Sequence, residues 1–233
     1  KDNPLKPGDE VIVPALGWST TFFPLQQYGL NVKFVDVDLD TLNCSIENLR
    51  KIVSQKTRLI MAVNVLGNPS EFDSLKSICK KNNCYLLEDN CESLYADYKG
   101  NKTGTFGIMG SFSSYFSHHI STMEGGFVAT EDKELYHIML SMRAHGWTRN
   151  LPKNNLVTGI KSDDFFEESF KFVLPGYNLR PLEMSGAIGI EQINKLPELL
   201  KNRRKNAKKF VDLFSEHSLF KIQKETGLSS WFG

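Results

Sequence analysis

Cysteine is scarce in this chain. Cys44, Cys79, Cys84 and Cys91 are the only four in 233 residues, and their spacing fits neither a zinc site nor a disulfide framework. They read as reduced thiols, and no metal is expected. Long apolar runs are missing as well. The longest, residues 59–65, is far too short to cross a bilayer. Net charge is nearly absent, at +1, so no global field points to nucleic acid or an anionic membrane. An anionic ligand would need a local basic patch. Neither repeats nor a low-complexity linker occur. What remains is an ordinary globular composition, 40% hydrophobic and 24% charged, with enough chain for a sizeable core.

The local patterns alternate between strand and helix. Residues 10–14, 31–37, 58–64 and 85–87 read as short strands, the last running straight into Glu88-Asp89. Between them, residues 20–28 read as a helix, with Ser19 as an N-cap and Gly29 as its stop. Residues 45–54, capped by Ser45, and 70–81 read as further helices. Ser70 and Asp73 are spaced like a capping box. This order argues for parallel βαβ units, whose ligands sit at the carboxyl ends of strands. The Trp18–Thr21 segment, Asp89 and His118 each follow a strand and are expected to converge there.

Farther on, residues 127–130 read as a strand. Residues 131–145 read as an amphipathic helix with Leu135, Ile138, Met139 and Met142 on one face. Residues 147–172 are polar with little periodicity and read as an excursion or flap. Two helices are expected at 181–194 and 196–214, the second long and basic. Residues 1–7 read as a helix tail and loop, residues 231–233 as the entry to a strand, and both ends look cut.

Residues 111–126 organise the rest. The stretch starts as an apolar/polar alternation and ends in Glu124-Gly125-Gly126, which permits a tight turn. Between lie His118 and His119, imidazoles able to move a proton near neutral pH. Taken alone, such a pair is more often structural or surface-exposed than catalytic. With its flanks, however, the stretch resembles the DegT-type family of pyridoxal-phosphate sugar aminotransferases. In that family a Ser-Phe strand leads to a lysine that holds the coenzyme, six residues before Glu-Gly-Gly. Six residues before Glu124 this chain has His118, an exchange found in a subgroup that removes a sugar hydroxyl instead of installing an amine.

The resemblance runs over essentially the whole chain. It implies an α/β fold of the aspartate-aminotransferase type (fold type I), with a mostly parallel sheet in a coenzyme-binding large domain over residues 1–190. Residues 191–233 would begin a smaller C-terminal α+β domain. Pyridoxal 5′-phosphate and its pyridoxamine form are the implied coenzymes. His118 would be the catalytic group, because imidazole cannot form the covalent link that a lysine amine forms. Asp89 would face the pyridine nitrogen, and Glu92, three residues later, the ring hydroxyl, where the family has glutamine. Trp18 would stack on the ring, and Ser113, five residues before His118, would contact the coenzyme. Asn178, in Gly176-Tyr177-Asn178, would reach the phosphate of a neighbouring subunit, which implies a homodimer. Arg149 and Arg180 are candidate substrate contacts, Arg149 within a basic, aromatic cluster with Arg143, His145 and Trp147.

The implied reaction is 3-dehydration of a nucleotide-linked 4-keto-6-deoxy sugar, with GDP-4-keto-6-deoxy-D-mannose as the expected substrate and L-glutamate as the amino donor. The setting would be cytoplasmic deoxysugar (colitose, O-antigen) biosynthesis, with no nucleic acid or membrane partner. A nucleotide-sugar aminotransferase is the alternative. No cysteine follows Cys91, which argues against an iron–sulfur relative.

Overall fold

The computed structural model describes residues 3–232, so Lys1 and Asp2 of the expected helix tail and Gly233 of the expected strand entry lie outside it. The chain divides into two compact units. One is built on Thr130–Met184; the other comprises Leu5–Ala129 and residues from Ser185 onward.

The larger unit contains a six-stranded sheet. Its strands are β1 (Glu10–Pro14), β2 (Asn31–Val35), β3 (Thr57–Val63), β4 (Tyr85–Asp89), β7 (Met109–Ser113) and β8 (Gly126–Ala129). Their spatial order is β2-β1-β3-β4-β7-β8. All neighbours pair in parallel except β7 and β8, which run antiparallel. β5 (Asp97–Tyr98) and β6 (Asn101–Lys102) form a small separate hairpin. Helices α1 (Phe23–Gln27), α2 (Ile46–Ile52) and α3 (Phe72–Asn82) connect the parallel strands.

Alternation along the strands explains the layering. Ile12, Ile60 and Leu86 face a cluster with Leu49, Phe72 and Leu75 from α2 and α3. Their neighbours Val11 and Leu59 face a second cluster with Leu30 and Leu25. A sheet covered on both faces requires near-continuous apolar strands, which residues 10–14 and 57–63 supply. Each fully buried Leu or Ile contributes about 1.5–3 kcal/mol by leaving water.

Several local expectations change. Ser19 begins a short 3-10 turn over Ser19–Thr21, and the position before it is Trp18. Ser70 does not cap α3. That helix starts after Glu71 without a side-chain cap, because the Ser70 hydroxyl donates to the Val63 carbonyl instead. The two helices expected over residues 181–194 and 196–214 are one, α6 (Glu183–Phe214), with Pro197 inside it. Leu196 and Leu200, flanking the proline, pack with Ile120 and Leu94, so tertiary burial overrides the proline's cost. The expected domain boundary at 190/191 falls inside this helix.

The smaller unit holds α4 (Lys133–Met142), whose N-cap Asp132 accepts from Glu134 and Leu135. Its most buried residues are His137 and Ser141, while the expected apolar face is only half-buried. Residues 147–172 are not a bare loop. They contain a hairpin, β9 (Asn154–Asn155) with β10 (Gly159–Ile160), and a short helix, α5 (Phe165–Ser169). Trp147 pairs with Phe172, and their rings stack, which closes the excursion.

Candidate active site

The carboxyl ends of β1, β3, β4 and β7 lie side by side. Register fixes this: Val63 pairs with Asp89, and Asp89 with Ser111, two residues before Ser113. Asp89 therefore ends β4 beside the start of the His118 loop. Its Oδ2 accepts from the Thr21 hydroxyl at 2.7 Å and its Oδ1 from the Cys91 N–H at 3.1 Å. Thr21 belongs to the turn that carries Trp18, so the turn after β1 is tied across β3 to Asp89. The Trp18 ring is 78% exposed and packs in no core, leaving its plane free for a ligand.

Glu88 and Asp89 divide their work by strand alternation. Glu88 points into the protein and is 1% exposed. Its carboxylate accepts three backbone N–H groups, from Gly104, Phe106 and Gly107, at 2.6–2.7 Å. Burial raises its pKa, and the three donors oppose the rise. Glu88 thus shapes the 104–107 loop while Asp89 faces the strand-end edge. The Cys91 thiol is pushed well up by burial and by the Asp89 charge, which keeps it protonated.

Glu92 sits near the same edge. Its Oε2 accepts from the Leu66 N–H at 2.6 Å, in a 3-10 turn (Val65–Gly67) whose Leu66 has a left-handed backbone. Beneath lies a buried asparagine network. Asn64 bonds Asn90 at 2.7 Å, and Asn43 holds Val65 N–H and the Asn68 carbonyl. The network was not legible beforehand; its only signal was asparagine recurring just past strand ends.

The loop after β7 closes on itself. Ser114 N–H donates to Gly125 O, Thr122 N–H to Ser114 O, and the two hydroxyls bond at 2.7 Å. Gly125, at φ +151, allows this closure: a Cβ there would meet both hydroxyl oxygens at 2.8 Å. The Ser113 hydroxyl accepts the Tyr115 N–H. The two histidines then part company. His118 is half-buried, and its Nδ1 is buried without a hydrogen-bond partner. His119 is 3% exposed, and neither ring nitrogen makes a hydrogen bond of normal geometry. Burial, with the Arg203 charge adding to it, pushes the His119 pKa down to about 4, and the Ser230 backbone opposes this only in part. His119 is therefore neutral and enclosed.

In the smaller unit the two motif regions prove to be one structure. His145 N–H donates to Tyr177 O, Tyr177 N–H to Met142 O, and Leu179 N–H to Arg143 O. Gly146 and Gly176 make this possible, since a Cβ on Gly176 would lie 2.2 Å from Gly146 N. Asn178 and Arg180 line an open groove of about 570 Å³ together with Arg143, Asn150 and Glu183. Arg149 stacks on the Trp147 ring, 5.0 Å from its centroid, and is exposed. Asn150 was missed by the sequence reading. Among the described residues no His, Cys, Asp and Glu cluster could hold a metal ion, and no helix is long and apolar enough to cross a membrane.

Residues 3–232 match the family model described as the DegT/DnrJ/EryC1/StrS aminotransferase family. The chain belongs to this family. Among its members, GDP-4-keto-6-deoxy-D-mannose 3-dehydratase of Escherichia coli O55:H7 is 63% identical over 229 residues, 98% of this chain and 59% of that one. The E. coli enzyme of that name with bound hydrated PLP superposes with a TM-score of 0.97 at 62% identity, over 100% of this chain and 60% of that one. The same kind of dehydratase with a trapped PLP-glutamate geminal diamine gives a TM-score of 0.96 at 62% identity, over 98% and 59%. The chain spans about three fifths of the length of these family members. The α/β fold with a mostly parallel sheet is that of PLP-dependent members of the family.

Proposed function

We propose that this chain forms the larger part of a pyridoxal-phosphate-dependent 3-dehydratase acting on a nucleotide-linked 4-keto-6-deoxy sugar, GDP-4-keto-6-deoxy-D-mannose above all. The observation that carries the proposal is His118, an imidazole with an unpartnered buried nitrogen, on the loop that starts beside Asp89. The 63% identity to a dehydratase of that name supports the same reading.

The residues fit the coenzyme. Asp89, already oriented by Thr21 and Cys91, offers a carboxylate to a protonated pyridine nitrogen. Trp18 offers a free aromatic face, Ser113 a hydroxyl, and Glu92 its second carboxylate oxygen. When bound, the coenzyme supplies an electron sink and, in its amine form, a nucleophile for the sugar ketone. His118 cannot anchor it covalently, so non-covalent contacts must hold it. His118 instead moves protons: it takes one at the reacting carbon and returns one to the departing C3 hydroxyl. L-Glutamate restores the amine form. Arg149 and Arg180 supply fixed positive charge for the diphosphate. Asn178 serves the phosphate of the neighbouring subunit in a homodimer. Residues 1–190 are read as the coenzyme domain, residues 191–233 as the start of a smaller one, and the setting as cytoplasmic.

The test uses the full-length protein with glutamate and GDP-4-keto-6-deoxy-D-mannose. Wild type should release ammonia and a 3-deoxy ketone. His118→Asn should lose turnover by at least about 100-fold while still binding coenzyme. Near wild-type turnover in that variant, or an amino sugar as the wild-type product, would overturn the assignment.

A further inference from the structure

Residues 229–232 run across the larger unit and bring the Phe232 ring against both histidines. Its centroid lies 5.1 Å from that of His118 and 5.8 Å from that of His119, tilted by 36° and 45°. Two independent holds fix this segment. On one side it docks on the Val65–Gly67 turn: Ser230 N–H donates to Gly67 O and Phe232 N–H to Leu66 O at 3.0 Å. On the other side, from α6, the Arg203 Nη1 donates to the carbonyls of both Trp231 and Phe232, at 3.0 and 2.5 Å. Arg204 Nε adds a bond to Ser229 O. The turn it docks on is the one whose Leu66 N–H holds the Glu92 carboxylate. One short segment therefore touches both the Glu92 turn and the His118 loop.

The chemistry of His118 gives this contact a purpose. A proton shuttle works only from a narrow set of positions, and misplacement by about 1 Å can cost 100-fold in rate. Yet the His118 side chain has no hydrogen bond to orient it through Nδ1. Its backbone N–H is tied only to Tyr115 O, within the same turn. The rings around it are Phe232, at 5.1 Å, and Tyr115, at 6.3 Å. Tyr115 is itself partly exposed and lies on the same loop. Phe232 is thus the ring contact to His118 that comes from a separately anchored element. We propose that Phe232 is a positioning residue for His118: its ring fixes the imidazole plane and shields it from water, and Arg203 fixes Phe232. This rests on the role given to His118 above.

The experiment uses the full-length protein in two assays. The first needs no coenzyme: the rate at which diethyl pyrocarbonate modifies His118, followed by peptide mass spectrometry on the coenzyme-free protein. The second separates kcat from KM in the dehydration assay. Phe232→Ala should speed His118 modification about fivefold and lower kcat about tenfold, with KM for the sugar changed less than about twofold. Phe232→Leu, which keeps an apolar side chain, should restore most of both. Arg203→Lys withdraws the Nη1 that donates to both carbonyls, since the lysine amine ends a shorter, unbranched chain, and should repeat the Phe232→Ala pattern in weaker form; it also carries the test if Phe232→Ala does not fold. Wild-type modification rate and wild-type kcat in Phe232→Ala, or in Arg203→Lys if that is the variant that folds, would overturn the proposal. If His118→Asn keeps turnover in the same assay, the role of His118 falls instead, and the modification rates alone still judge whether Phe232 holds it.

Discussion

His118 and His119 share a backbone turn but not an environment. His119 is enclosed, and its folded-state pKa of about 4 lies below the ordinary 6.5. Between those values the unfolded chain binds a proton that the folded chain refuses, so stability falls as pH drops through this window. From neutral pH to about pH 5 the loss is about 2 kcal/mol. Urea denaturation at both pH values should show it, and His119→Gln should flatten the slope. An unchanged slope in that variant would place the acid sensitivity elsewhere. The neighbouring carboxylates show the same division. Asp89 was legible as a strand-end carboxylate because it closes a short apolar run, and it does end β4. The role of Glu88 was not, since its three donors lie 16 to 19 residues away in a loop that sequence periodicity does not bring near.

Among the elements, the Val65–Gly67 turn holds more than its length suggests. Gly67 sits at φ +87, and a Cβ there would lie 2.7 Å from Ser230 Oγ and 2.8 Å from Trp231 N. Gly67→Ala should therefore destabilise the protein by about 2 kcal/mol or more and dislodge residues 229–232. Thermal melting reads the first effect, and faster chemical modification of His118 reads the second. A variant that melts like wild type with His118 still protected would mean that this close approach is not needed. Helix and strand cores were mostly legible from pattern. Ends were not: Ser70 was read as a cap but is drawn to Val63 O, and a break was expected at residue 195, inside what is one continuous helix. In both cases a partner distant in sequence outweighed a local preference.

At the scale of the whole molecule, the homodimer reading makes a sharp prediction. His118→Asn and Asn178→Ala should each yield inactive dimers. Unfolding and refolding them together should restore about a quarter of wild-type turnover, because half the dimers are hybrids and each hybrid has one intact site. Light scattering checks that the mixed sample is dimeric. If Asn178 served its own chain, every site would carry one defect and no activity would return.

The sequence by itself determined the α/β alternation, the apolar strands of a sheet covered on both faces, and the family. These rest on patterns a few residues long, or on a motif of fixed spacing. Only the tertiary structure decided that Thr21 orients Asp89, that Glu88 builds a loop, that His119 is enclosed and neutral, and that Phe232 lies against His118. Each depends on residues brought together across the sheet edge by burial and hydrogen bonding, contacts between segments as far apart as residues 66 and 232, which no local pattern encodes.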